Sequence, residues 1–264
     1  MFEILFKDYV NHFTKTSKAD WSYEAGLVLL GAKKMYEAIG ATEYFDRIVE
    51  YINFYVSEDG SLEHAEKACQ DLYKIGLGKI LCFLYEREKG EKYKKALDEL
   101  VNRIRGMEDK YEALPLYLEY ETKFNEKENY NDVYRCMKDA RTVFQNEKVP
   151  MKNRMYDLMA LIDMYENSSE EVFEQHKQYA IWFKAALRDA LAYQQYEFNE
   201  TAVIAYCMLK GCRLGILLQE KYQKLAEEMV CKLLELDFAE MKATGAVGIM
   251  AMAYAEYLMR SEIL

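Results

Sequence analysis

A tyrosine-led segment of about ten residues recurs along this chain, and the recurrence narrows the available folds more than any other feature. It appears as EYFDRIVEYI at Tyr44, KYKKALDELV at Tyr93, NYNDVYRCMK at Tyr130, QYAIWFKAAL at Tyr179 and KYQKLAEEMV at Tyr222. These tyrosines stand about 37 to 49 residues apart, the interval expected of one helix pair per repeat. Apolar residues in each segment fall at helical spacing with Lys, Glu and Asp between them, the pattern of a helix wet on one side. Segments of another kind lie between. YEAGLVLLGAKKMYEAIG, YKIGLGKILCFLYE, YEALPLYLEYETKF, RMYDLMALIDMYE, TAVIAYCMLKGCRLGILL and AVGIMAMAYAEYLM are apolar on most sides, and several are rich in Gly and Ala. Small residues let helix backbones approach closely, and a helix that is apolar all round must be covered on both sides.

With one more helix near residues 2–14, the pattern predicts about twelve helices in alternating outer and inner order, within a single domain spanning 1–264. An inner ring wrapped by an outer ring is an all-α (α/α)6 toroid. An open solenoid of the tetratricopeptide kind is the alternative, although that repeat is shorter and more regular. Two prolines in 264 residues leave room for long uninterrupted helices. A net charge of -10, with no clustered basic surface, argues against a nucleic-acid partner. No apolar run approaches the roughly 18–20 residues needed to span a bilayer, so no membrane partner is expected. The opening stretch MFEILFKDYVNHF lacks the organisation of a signal peptide. Cys69, Cys82, Cys136, Cys207, Cys212 and Cys231 show no CxxC pairing and read as reduced core thiols of a cytoplasmic protein, without a disulfide or zinc site.

In such a toroid the inner helices run one way, so their N-termini collect at one mouth. Unpaired N–H groups and a partial positive charge there favour an anionic ligand. Tyr23, Tyr73, Tyr111 and Tyr156 each open an inner helix, and two residues before them stand Trp21, Asp71, Asp109 and Arg154. If the registers are equivalent, these side chains surround one opening. Aromatic faces stack on sugar rings, Arg pairs with a carboxylate in bidentate fashion, and Asp serves as acid or base. Each residue also has a plainer reading. Asp109 with Glu112 fits a helix-capping box, Asp71 fits a cap, the tyrosines fit packing between hairpins, and Arg154 fits neutralisation of nearby acids.

Several short motifs resemble the unsaturated glucuronyl and rhamnogalacturonyl hydrolases of glycoside hydrolase families 88 and 105. Trp21-Ser-Tyr23-Glu-Ala-Gly26 followed by the turn from Ser57 through Gly60 to Leu62 is similar to the family's Trp-x-Tyr-x-x-Gly and its Asp-Gly loop. Asp71 with Gly76, Leu84-Tyr85-Glu86 and Lys92-Tyr93-Lys-Lys-Ala96 resemble its next stretch, and Met107 through Asp109 to Pro115 falls where it has Trp-x-Asp-Gly. Asn199-Glu-Thr201-Ala202, Leu209-Lys-Gly211-Cys-Arg213-Leu-Gly215 and Gly245-Ala-Val-Gly248 with Glu256 resemble later motifs. Departures stand beside them. Met107 and Lys110 replace the Trp and Gly around the Asp, Lys152-Asn-Arg154-Met-Tyr156 stands for the family's Arg-Gly-Asn-Gly-Trp, and the family's His- and Trp-bearing wall loop is missing.

The resemblance implies hydration of the C4=C5 double bond in a terminal unsaturated uronic acid of an acidic oligosaccharide. Asp109 would be general acid and base with Asp71 as its catalytic partner. Trp21, Tyr23, Tyr73, Tyr111, Arg154 and Tyr156 would bind the sugar. No metal or organic cofactor is implied. The competing expectation is a catalytically inactive relative, cut back at its walls, that binds carbohydrate or protein. A homodimer, in which a second copy completes shortened loops, is the assembly left open.

Overall fold

The computed structural model describes residues 1–16, 22–63, 76–144, 149–193, 195–236 and 244–260. Twelve α-helices stand among them, alternating as the sequence predicts. The outer helices are α1 (Phe2–Thr16), α3 (Thr42–Ile52), α5 (Glu91–Arg105), α7 (Tyr130–Phe144), α9 (Phe173–Leu191) and α11 (Gln219–Leu234). The inner ones are α2 (Tyr23–Ile39), α4 (Gly76–Glu88), α6 (Leu114–Phe124), α8 (Met151–Asn167), α10 (Phe198–Arg213) and α12 (Thr244–Met259).

Each outer helix buries a single stripe. Tyr179, Phe183, Leu187 and Ala190 carry it on α9, and Tyr44, Ile48, Tyr51 and Ile52 on α3. The repeated tyrosines are anchors of these stripes: Tyr44, Tyr93, Tyr130 and Tyr179 are buried, and Tyr222 is half-buried. Inner helices are covered all round, and α10 is buried without interruption from Ala202 to Cys212. Cys82, Cys207 and Cys212 are buried free thiols, whereas Cys136 is half-buried and Cys231 exposed, so those two depart from the expected core position. Cys69 lies outside the described residues. His12 and His176 fall on the outer helices α1 and α9.

The inner helices form a closed ring, each packing on the next from α2 through α4, α6, α8 and α10 to α12, which returns to α2. That return contact excludes the open solenoid. Glycine makes the seam possible. A Cβ on Gly248 would lie 2.6 Å from the Val28 amide nitrogen and closer still to the Leu27 carbonyl. One on Gly31 would lie 2.8 Å from the Gly248 carbonyl oxygen. Backbone therefore meets backbone where the ring shuts. Outside the seam, the Tyr254 hydroxyl of α12 donates to Glu3 of α1 at 2.9 Å and its ring meets Phe2 edge-on, docking the first outer helix beside the last inner one. No helix among the described residues is long and apolar enough to cross a membrane.

Candidate active site at the N-terminal mouth of the inner ring

The starts of four inner helices surround a cavity of about 250 Å³. Tyr23 is the first residue of α2, set there by Ser22, whose hydroxyl accepts the Ala25 amide and caps the helix. Tyr111 opens a short 3-10 turn, Tyr111–Ala113, that leads into α6 with Pro115 at its first positions, where a missing N–H costs nothing. Lys152 and Tyr156 lie one turn apart on α8. Lys79 of α4 and Asp163 of α8 reach the cavity from deeper in the ring.

The Tyr23 and Tyr156 rings meet edge to face at 5.0 Å, and the Lys152 ammonium lies 5.7 Å from the Tyr156 ring centre. Burial, with Tyr156 and nearby carboxylates adding to it, pushes the Tyr23 phenol well above its ordinary range. It is a neutral hydrogen-bonding group at physiological pH. Tyr111 is shifted the same way by burial and then by Asp157, to whose carboxylate its hydroxyl donates at 2.9 Å. Asp157 is 2% exposed and also ion-paired with Arg141. Burial raises its carboxyl to about 6 even though Arg141 and the Tyr111 hydroxyl favour the charged form. At the floor burial acts on Asp163 too, but the Lys210 and Lys79 ammoniums outweigh it and hold that carboxyl far below its ordinary value. The rim carries the exposed carboxylates Glu24 and Glu112, and Leu27, Leu116 and Met159 line the depth between rim and floor. Tyrosine faces and edges, two ammoniums and helix N-termini in one recess suit a hydroxylated ring bearing negative charge. Among the described residues no three His, Cys, Asp or Glu side chains converge as a metal site.

Of the residues expected at this mouth, Tyr23, Tyr111 and Tyr156 come together around the cavity. Trp21, Asp71 and Tyr73 lie outside the described residues. Asp109 is exposed and does not line the cavity; its carboxylate accepts the Tyr111 amide at 3.2 Å, which stabilises the turn. That single bond stands in place of the expected box with Glu112, and the N-cap residue Lys110 adds no side-chain bond, whereas Glu197 and Glu200 do form a box at the start of α10. Arg154 faces away from the ring. Its Nε donates to the Val149 carbonyl at 3.3 Å, and it lines a small cleft with Arg141, Asp157 and Asp189 between α7, α8 and α9.

Helix geometry accounts for this. At about 100° per residue, Lys152, Tyr156 and Asp163 share the inward face of α8, while Arg154 sits roughly opposite. Counting turns from Tyr156 finds Lys152 and Asp163 in the sequence. Lys79 carries a fainter signal, as a lone charge in the apolar run GLGKILCFL.

A second cavity of about 400 Å³ opens at the opposite mouth, among the C-terminal halves of all six inner helices. Its side chains are ion-paired in a net: Lys34 with Glu37, Lys123 with Glu86 and Glu119, Lys210 with Glu166, and Arg213 with Glu166 and Glu256. Lys79 and Asp163 line both cavities and form the partition between them.

Comparison with known proteins settles the family. The model of glycosyl hydrolase family 88 matches residues 4–157, from α1 into α8. The chain belongs to that family. Membership makes it a glycoside hydrolase with carbohydrate as its substrate class, and the mouth with three tyrosines falls within the matched segment. Solved structures extend the likeness over the whole ring. A family 105 glycoside hydrolase of C. acetobutylicum ATCC 824 is similar with a TM-score of 0.81 and 19% identity, over 98% of this chain and 99% of that one. A family 88 glycosyl hydrolase from Bacteroides vulgatus is similar with a TM-score of 0.75 and 12% identity, over 97% of each chain. A polysaccharide lyase is equally similar at 0.75, with 14% identity over 98% and 97%. At such identities the structural likeness concerns the six-hairpin fold, which serves both hydrolases and a lyase.

Proposed function

We propose that this glycoside hydrolase releases a terminal unsaturated uronic acid from an acidic oligosaccharide by hydrating its C4=C5 double bond. The observation that carries the reading is the recess at the N-terminal mouth, where Tyr23, Tyr111 and Tyr156 surround a space supplied with the ammoniums of Lys79 and Lys152. In this reading Asp109, just ahead of Tyr111, delivers its proton to C4 and then accepts one from the water whose oxygen bonds to C5. The resulting hemiketal opens to a ketone, and the bond to the neighbouring sugar breaks with the proton passing to the departing oxygen. Two electrons of the C=C bond form the new C4–H bond, and no oxidant or reductant is needed. Asp71 is the partner carboxylate in the same proposal.

Glu112 offers a second reading of the acid, because its side chain lines the cavity and that of Asp109 does not. Purified protein incubated with unsaturated uronyl disaccharides should abolish their ultraviolet absorbance as the conjugated double bond is lost. Asp109→Asn should stop that loss while Glu112→Gln slows it. The reverse result assigns the acid to Glu112, and no loss of absorbance with any unsaturated disaccharide sinks the proposed reaction.

A further inference from the structure

Lys79, Asp163 and Lys210 are charges set within apolar inner helices, and they meet on the ring axis. Asp163 accepts from Lys210 at 2.6 Å, from Lys79 at very close range and from the Tyr206 hydroxyl at 3.3 Å. One carboxylate thus holds two ammoniums. Lys210 is 1% exposed and has a second carboxylate, Glu166, at 2.7 Å, so it is fixed within the net of the far mouth. Lys79 differs. Its side chain is 16% exposed, and it forms part of the floor of the cavity that Tyr23, Tyr111 and Tyr156 surround. From Tyr156 to Asp163 is seven residues of α8, a depth of roughly 10 Å at the helical rise, enough for one sugar ring. Between them the walls are largely apolar: Leu27, Leu116 and Met159.

We propose that Lys79 is the residue that makes this cavity selective for an acidic sugar, its ammonium passing from Asp163 to the carboxylate of the bound ring. The inference rests on the acidic substrate class proposed above. Lys210 and the Tyr206 hydroxyl remain on Asp163 during the exchange, so neither that carboxylate nor the arriving one is left buried without a cation. Lysine suits such a transfer, being a compact charge on a flexible four-carbon stem. Asp163 and the ligand then compete for one cation. This gives the two partners opposite mutational signatures: losing Lys79 weakens acidic ligands, and losing the charge of Asp163 strengthens them.

The test is calorimetric binding of D-glucuronate and D-glucose to the full chain, which requires no turnover. Wild-type protein should prefer glucuronate. Lys79→Met should weaken glucuronate about tenfold or more, the range of a charge-assisted hydrogen bond, and leave glucose within about twofold. Lys79→Arg should keep the preference, and Asp163→Asn should tighten glucuronate severalfold. Thermal unfolding monitors the fold, and if Lys79→Met does not fold, the arginine and asparagine variants decide. Equal losses for both sugars in Lys79→Met, weaker glucuronate binding in Asp163→Asn, or no glucuronate preference in the wild type overturns the assignment. Selective glucuronate binding without double-bond hydration would refute the proposed reaction and leave the role of Lys79 standing.

Discussion

Replacing Gly248 by alanine puts one methyl group where α12 closes against α2. In an unconstrained helix interior this exchange stabilises by about 1 kcal/mol, because Ala has the better propensity. Here the new Cβ would stand 2.6 Å from the Val28 nitrogen and nearer still to the Leu27 carbonyl. Carbon atoms in favourable contact sit about 3.5–4.0 Å apart, so the two helices must separate by roughly 1 Å. The obstacle is backbone, which cannot turn aside as a side chain can. Overpacking of a tight core costs about 1–3 kcal/mol, occasionally more, and a shift of two whole helices belongs at the upper end. The expected net loss is about 2–3 kcal/mol, or roughly 4–12 °C in Tm for a chain of this size. Gly245→Ala is the internal control on the same helix. Its Cβ would meet the Leu27 Cδ1 at 3.1 Å and the Glu24 Cγ at 3.4 Å, flexible atoms that can yield, and the nearest backbone atom, the Glu24 Cα, stands at an ordinary contact distance of 3.8 Å. Urea and thermal unfolding of both variants measure the difference. Gly248→Ala as stable as wild type would refute a seam held at backbone contact.

Lys210→Met removes the buried cation shared by Asp163 and Glu166, leaving a buried and a half-buried carboxylate short of positive charge. Breaking such a network should cost about 3–5 kcal/mol in urea unfolding, and a loss below 1 kcal/mol would show that the net is well hydrated. Asp157 gives the protein a pH signature. Its folded carboxyl is raised from 3.8 to about 6, so between those values the folded chain holds a proton that the unfolded chain has lost. Stability from this group is therefore greatest below about pH 4 and declines as pH rises through 6, by roughly 3 kcal/mol in all. Asp157→Asn should flatten that part of the stability profile, and an unchanged slope would assign it to other groups.

The fold was legible because two periodicities repeat. Amphipathic stripes led by Tyr44, Tyr93, Tyr130 and Tyr179 alternate with helices apolar all round, and a chain that must cover six such helices has few ways to do so other than a double ring. Closure could be inferred but not seen, since it depends on Gly31 and Gly248 meeting across more than 200 residues of chain. The mouth was partly legible. Tyr23 and Tyr111 are legible because helix starts carry recognisable residues, whereas Tyr156, expected to open its helix, stands more than a turn inside α8. Arg154 was placed with them by counting two residues back from Tyr156, a rule of strands and loops that fails once α8 has already begun at Met151. Two residues back on a helix is the far side, and Lys152 occupies the inward place.

Local sequence alone determined which segments are helices and which of their faces are wet, because periodicity, caps and prolines act within a turn or two. Tertiary structure decided which charges meet. Lys79, Asp163 and Lys210 lie 84 and 47 residues apart in pairs, and no local rule relates them. Only when the ring closes do the three helices carrying them face one axis, where low polarity leaves each charge dependent on the others.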